Sequence, residues 1–277
     1  MKSLRINMTA REQHDYQSVM LMKRPLISKD ETDVRSDLKE TSDLPLVSVI
    51  VVAYRDLSEV QSLVENISPF RSGDVELIII DGGSDDGTLE FLRSNSHRID
   101  YWISEQDRGI YDAMNKGIKA ARGSYVLHLN AGDRLRQIPM ELLRQCIEDN
   151  IDVVSCGVLM DGKDVFVPKI GFKMRIDNYW HHQGTFYRRS KHLGYNAAYR
   201  ICGDFEHNQR LIRAGCSVRL LPQVVSEHRN DGISMHKSSK TERLKSVRAH
   251  FGVIYLLIAV MRLEFMKLRR AVKEILP

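Results

Sequence analysis

The alternation of apolar runs and helical stretches between Leu46 and Asp133 constrains this chain more than any other feature. Residues 46–53 (LVSVIVVA) are apolar or β-branched almost throughout, as in a strand buried on both faces of a parallel sheet. Leu57–Ile67 spaces Leu57, Val60, Leu63, Val64 and Ile67 along one helix face. Residues 75–80 read as a second buried strand ending at Asp81-Gly82-Gly83, where Ser84 or Asp85 is expected to cap a helix carrying Leu89, Phe91 and Leu92. Tyr101–Ser104 reads as a short third strand, 110–121 as a helix stopped at Arg122-Gly123, and 125–129 as a fourth strand. This βαβαβαβ order predicts an α/β fold with a parallel, right-handed, doubly wound sheet. Ligands of such sheets bind outside the carboxyl ends of the strands.

After Asp133 the alternation loosens. Residues 140–147 and 204–213 read as helices, and 153–159, 165–167, 184–187 and 217–221 as strands of a mixed sheet. The expected organisation is a polar, mobile extension (1–43), an α/β domain (44–235) with halves at 44–133 and 134–235, and a basic helical tail (236–277). A chain of 277 residues with 43% hydrophobic and 28% charged residues can bury a proper core. Its net charge of +5 suits a phosphate-rich substrate or an anionic membrane face. Nucleic acid is not expected, because there is no RNA-recognition or zinc-finger pattern and no basic stripe with interleaved aromatics. The four cysteines form no CxxC pair, which argues against structural zinc and for buried thiols in a reducing compartment. The first residues lack a continuous apolar run, so no secretory leader is expected.

Two acidic turns stand at strand ends. At Asp81-Gly82-Gly83 the glycines permit close backbone approach to a ligand, and the carboxylate can accept hydrogen bonds from a base or ribose. An ordinary turn with an aspartate cap explains the same residues equally well. Asn130-Ala131-Gly132-Asp133 follows the fourth strand and could present oxygen ligands to a divalent cation neutralising a diphosphate.

In order and spacing, DGGSDDGT, EQDRGIYDAMNKG, LNAGD, HQGTFYRR (182–189) and YRICGDFE (199–206) resemble the inverting GT-A glycosyltransferases of family 2. The nearer likeness is to bacterial exopolysaccharide and colanic-acid-type enzymes, over roughly residues 45–234. The resemblance implies transfer of a sugar from a nucleoside-diphosphate donor to a lipid-linked or oligosaccharide acceptor, with Mg²⁺ or Mn²⁺. It implies that Ala53, Tyr54, Arg55 and Asp81, with Gly82 and Gly83, hold the base and ribose. Asp107, Asp112 and Asn115 join them from the matched EQDRGIYDAMNKG run, and Asn130 and Asp133 correspond to the metal motif. Asp204 matches the general base that takes the acceptor proton, with Glu206 as the alternative. His182, Gln183 and His228 become acceptor or diphosphate contacts, although paired histidines are more often structural. Two positions depart from the family pattern. Gly82 replaces a common second aspartate, leaving Asp81 as the expected base-contacting carboxylate, and Asn130 removes one charge from the metal site.

Leu244, Val247, Phe251, Ile254, Leu257, Ile258, Met261, Phe265 and Leu268 recur at helical spacing among Arg and Lys residues. Only 253–261 is uncharged without a break, and at ~1.5 Å per residue it falls short of a ~30 Å hydrocarbon core. The segment therefore reads as a basic amphipathic helix, peripheral on the cytoplasmic face of an inner membrane or packed on protein. A catalytically silent nucleotide-binding module is the competing reading, permitted by Asn130. A nucleotidyltransferase fits poorly, since Ala53-Tyr54-Arg55-Asp56 contains no glycine-rich phosphate loop.

Overall fold

The structure is a computed structural model and describes residues 44–229 and 238–275. The extension expected at 1–43 and the junction at 230–237 lie outside the described residues. Among the described residues nine strands form one sheet: β1 (Val47–Ala53), β2 (Val75–Asp81), β3 (Tyr101–Ser104), β4 (Tyr125–Asn130), β5 (Arg134–Leu135), β6 (Val153–Met160), β7 (Asp164–Phe166), β8 (Thr185–Arg188) and β9 (Val218–His228). Their order is β3-β2-β1-β4-β8-β6-β9-β5, with β7 beside β6. The first four strands are parallel, β4–β8 and β6–β8 are antiparallel, and β6–β9 is parallel. The parallel half therefore matches the expected doubly wound fold, and the second half is mixed as expected.

Strands β1 and β2 are buried at every residue because helices cover both faces. On one face α1 (Leu57–Ile67), α2 (Thr88–Ser94) and α4 (Met140–Glu148) set Val60, Leu63, Leu92 and Leu143 against Val49, Val51, Leu77 and Leu127. On the other, α3 (Ile110–Ala120) and α5 (Gly203–Arg213) set Met114 and Leu211 against Ile50, Ile78 and Val126. Continuous apolar strands are the sequence signature of this arrangement. A polar knot closes the end remote from the site. Buried Glu76 accepts from the Ser48 hydroxyl (2.6 Å), the Arg122 guanidinium (2.8 Å) and the backbone N–H groups of Arg122 and Gly123 (2.6 and 3.1 Å). A Cβ on Gly123 would sit 2.6 Å from the Ser48 backbone nitrogen. Gly123→Ala should therefore destabilise the protein by about 1–3 kcal/mol through overpacking, seen as a lower midpoint in urea; an unchanged midpoint would refute the clash.

Three local expectations are corrected. The cap of α2 is neither Ser84 nor Asp85: Gly87 holds that position, and Asp86 before it accepts from the Thr88 N–H (3.2 Å) and hydroxyl (2.6 Å) and from the Leu57 N–H (2.8 Å). One carboxylate thus serves the starts of α1 and α2. β9 runs seven residues past the expected 221, because its far end pairs with β5, a two-residue strand with no signal of its own. The C-terminal helix α6 (Ser238–Ile275) is broken at Gly252, where φ is +83°. Its first part packs on the domain through Val247, beside Phe205 and Cys202 of the α5 start.

Candidate active site

Parallel register pairs Ser104 with Asp81, Asp81 with Ala53 and Asn130 with Val52, bringing the ends of β3, β2, β1 and β4 to the same sheet edge. The turns beyond them are tied together. Arg55 adopts φ +52°, a left-handed conformation rare outside glycine. Its N–H donates to the Ser84 hydroxyl (2.7 Å) and its guanidinium pairs with Asp85 (2.9 Å). Tyr54 is 58% exposed and carries the Arg55 guanidinium 5.2 Å from its ring centre. Gly83, at φ +80°, lets the β2 turn approach Gln106. A Cβ on Gly82 would lie 3.2 Å from the Tyr54 ring and 3.3 Å from an Asp107 oxygen.

These turns line a cavity of about 990 Å³. It is lined by Tyr54, Arg55, Gly82, Gly83 and Asp107, by Asn130, His181, His182, Gln183, His228 and Asp204, and by Arg200, Ser239 and Arg243. That volume is at the upper end of the ~300–1,000 Å³ usual for small-molecule sites, room enough for two reacting molecules.

Five expected site residues take other places. Asp81 is fully buried and does not line the cavity; it accepts from the Ser84 N–H (3.1 Å) and hydroxyl (2.5 Å) and from the Ser104 hydroxyl (2.5 Å). The carboxylate on the cavity wall beside Gly82 is instead Asp107, ion-paired with Lys116 and pushed up in pKa by burial. Asp112 turns to Arg108, accepting its backbone N–H (3.1 Å) and pairing with its guanidinium (3.2 Å). Asn115 exchanges two hydrogen bonds with the Tyr195 backbone (2.7 and 2.8 Å), anchoring the loop before α5. Glu206, the alternative to Asp204, does not line the cavity and is held by Arg210 and His250 (each 3.0 Å). Asp133 is also buried behind the lining, but its partner His228 reaches the cavity.

Asp204 stands in the first turn of α5 and lines the cavity. One oxygen is 3.4 Å from the Tyr111 hydroxyl, and the other accepts from Asn178 Nδ2 (3.1 Å) and lies 3.4 Å from His182 Nδ1. Burial alone would raise its pKa, but the hydrogen-bonding contact with His182 and the neighbouring imidazoles outweigh it and hold the carboxyl below its ordinary value. Gly203 makes this geometry possible, since a Cβ there would meet the Tyr111 ring at 2.7 Å. The preceding loop is gripped from α6: Glu242 accepts the backbone N–H groups of Arg200, Ile201 and Cys202 (2.9, 2.9 and 2.8 Å). Tyr111 carried a signal, within the GIYDAMN run. Asn178 and Glu242 carried none, because each meets this loop only through tertiary folding.

Among the described residues no cluster of three or more His, Cys, Asp or Glu side chains is gathered to hold a metal. A smaller set exists. Asp133 Oδ1 lies 2.7 Å from His228 Nδ1, Asp133 Oδ2 accepts the Asn130 N–H (2.7 Å), and Gln183 Nε2 is 3.1 Å from His228 Nδ1. Among the described residues the buried Asn130 Oδ1 and His182 Nε2 have no hydrogen-bond partner. A carboxylate, an imidazole and an amide oxygen suit a divalent cation whose remaining ligands are phosphate and water, the habit of magnesium sites.

The sheet, the strand-end cavity and the acidic turns define a protein of GT-A type. The model of glycosyl transferase family 2 matches residues 48–214, and the chain belongs to that family. It is 42% identical over 91 residues to an uncharacterized glycosyltransferase of Mycobacterium tuberculosis, covering 32% of this chain and 35% of that protein. The match thus spans about a third of that relative's length. A PGL/p-HBAD biosynthesis glycosyltransferase of Mycobacterium bovis is 30% identical over 182 residues, covering 60% of this chain and 69% of the relative. Two solved structures share the fold. S. aureus TarS in complex with UDP-GlcNAc has a TM-score of 0.58 at 14% identity, over 73% of this chain and 64% of that one. The mannosyltransferase PcManGT from Pyrobaculum calidifontis, in complex with GDP-Man and Mn²⁺, has a TM-score of 0.54 at 18% identity, over 76% and 64%.

Proposed function

We propose that this chain is an inverting, hexosyltransferase-type enzyme that moves a sugar from a nucleoside-diphosphate donor to a lipid-linked or oligosaccharide acceptor in bacterial cell-surface polysaccharide biosynthesis. The observation that carries this reading is Asp204, a carboxylate that Tyr111 and Asn178 hold in the wall of the same cavity as the donor-edge turns. Within residues 44–133 the Tyr54 ring offers a stacking face for a base, and Asp107 offers an acceptor for base or ribose hydrogens. Asp204 removes the proton from the acceptor hydroxyl as its oxygen attacks the anomeric carbon and the nucleoside diphosphate leaves from the opposite side. Tyr111 and Asn178 aim the carboxylate, and no covalent enzyme intermediate is required. Asp133, His228 and Asn130 would hold Mg²⁺ or Mn²⁺, which when bound neutralises charge on the leaving diphosphate.

A thermal-shift panel of nucleotide sugars with Mn²⁺ tests the reading. Stabilisation by one donor over its relatives is expected, and no shift with any donor would overturn it. Asp133→Ala should weaken Mn²⁺-dependent nucleoside-diphosphate binding by about tenfold or more in calorimetry. Unchanged affinity would remove Asp133 from the metal site.

Peripheral attachment to the cytoplasmic face of the membrane is part of the proposal. No helix among the described residues is long and apolar enough to cross a membrane. Beyond Gly252, however, Ile254, Leu257, Met261, Phe265 and Leu268 form an exposed apolar stripe, flanked by Lys267 and Arg269. An anionic bilayer surface complements both features. Phe265→Asp should reduce binding to anionic vesicles by about tenfold or more, since a buried Phe is worth ~1.5–3 kcal/mol. Equal co-sedimentation of variant and wild type would exclude this contact.

A further inference from the structure

The segment that delivers Asn178 to Asp204 is itself fastened to α6 on both sides of its break. A single 3₁₀ turn, Phe172–Arg175, leads into Ile176, Asp177 and Asn178. One Asp177 oxygen takes the guanidinium of Arg243, which precedes Gly252, and also the Asn178 backbone N–H (3.2 Å). The other takes Arg262, which follows Gly252 (2.7 Å). The Arg175 guanidinium lies 5.9 Å from the ring centre of Phe251 and 5.7 Å from that of Tyr255, again one from each side. Arg175 and Asp177 thus each bridge the two arms of α6, and Ile176 between them is buried in one cluster with Val247 and Ala259. At Gly252 φ is +83° and ψ −173°, a region open in practice only to glycine, and a Cβ there would meet nothing within 4 Å. Backbone conformation alone therefore calls for the glycine. An unbroken helix would send the second arm in another direction and take Arg262 off Asp177.

The next link runs from Asn178 to the carboxylate. Asn208 Nδ2 donates to Asn178 Oδ1 (3.2 Å), which leaves Asn178 Nδ2 to donate to Asp204 (3.1 Å). We propose that Asp177 is a positioning residue for Asp204, held in place by Arg262, so that the second arm of α6 sets the aim of the base through Asn178. This rests on the reading of Asp204 as the base and makes the C-terminal helix part of its control. Asn178 lines the cavity, whereas Asp177 and Arg262 do not, so their effect is expected through Asn178 and not by contact with donor or acceptor. Loss of the link should therefore lower kcat and spare donor KM, because the base acts only in the attack step.

Release of nucleoside diphosphate is followed with the full chain, Mn²⁺ and UDP-glucose, UDP-GlcNAc or GDP-mannose, with water as acceptor. Arg262→Gln and Asp177→Asn should each lower kcat by about tenfold or more while donor KM stays within about twofold. Arg262→Lys should restore most of the rate, since an ammonium can replace the single guanidinium contact. In the Asp204→Asn background neither loss should recur, because both act through that carboxylate. Arg248→Gln removes the same charge from an exposed position on α6 and should leave the rate unchanged. The Asn178 side-chain amide signal in ¹⁵N NMR, identified by its absence from Asn178→Ala, reads the link without turnover. It should move in Asp204→Asn, Arg262→Gln and Gly252→Ala, and stay in place in Arg248→Gln. Undiminished losses in the Asp204→Asn background, a raised KM in place of a lowered kcat, or an amide signal unmoved by Arg262→Gln would overturn the link. If the wild type turns over no donor, the transferase reading falls instead, and the amide signal still decides whether α6 sets the geometry at Asp204.

Discussion

Asp204→Asn is expected to lower kcat by about 10²–10⁴ while leaving the fold and donor affinity intact, the usual contribution of a positioned general base. The substitution keeps the shape of the side chain and one oxygen for Asn178 Nδ2. What it removes is the ability to take a proton. No neighbour restores it: Glu206 does not line the cavity and is engaged by Arg210 and His250, and Asp133 is paired with His228. The pH profile gives a second readout. Because the folded-state pKa of Asp204 lies below the ordinary carboxylate value, the carboxylate stays ionised as pH falls from neutral. An acid limb belonging to this group should therefore appear only below the usual aspartate range. Full activity in Asp204→Asn, or an Asp204-dependent limb near neutrality, would sink the assignment.

The fold should also be acid-labile from about pH 6.5 downward, losing about 2 kcal/mol between pH 6.5 and 5.5 from two histidines alone. His128 and His207 are fully buried, and among the described residues neither ring nitrogen of either has a hydrogen-bond partner. They stack among His192, Tyr187 and Tyr195, with ring centres 4.2–5.8 Å apart. Burial drives both pKa values well below 6.5, and the nearby Arg210 lowers that of His207 further. The sign follows directly. Below pH 6.5 the unfolded chain binds protons at these histidines and the folded chain does not, so stability is complete above 6.5 and declines as pH falls. Urea midpoints at pH 7.5, 6.5 and 5.5 measure the slope, and His207→Phe should flatten it. Equal stability at pH 5.5 and 7.5 would show that the cluster takes up protons without cost.

The elements legible in the sequence were those whose signal is local. β1, β2, α1 and α3 lie within a residue of their expected ends, because burial on both sheet faces demands continuous apolar runs and a packed helix demands a 3.6-residue stripe. The caps were harder to read, since any of Ser84, Asp85 and Asp86 satisfies the pattern, and only the backbone path aims Asp86 at two helix starts. β5 left no trace, because two residues become a strand only by pairing with β9.

By itself the sequence determined the parallel half-sheet, the strand-end position of the candidate site, and the short acidic and glycine-bearing turns that mark it. Those features depend on neighbours within a few residues along the chain. Only the tertiary structure decided which carboxylates face the cavity. Asp81 and Asp107 are both acids beyond strand ends, yet two serine hydroxyls draw Asp81 inward while the bare Gly82 leaves Asp107 on the wall. Asp204 and Glu206 are two residues apart on one helix, and they part company because about 100° per residue turns them to different partners. The grip of Glu242 on the loop before Asp204 joins residues some forty positions apart. A side chain's direction and its distant partners are properties of packing, and no short motif encodes them.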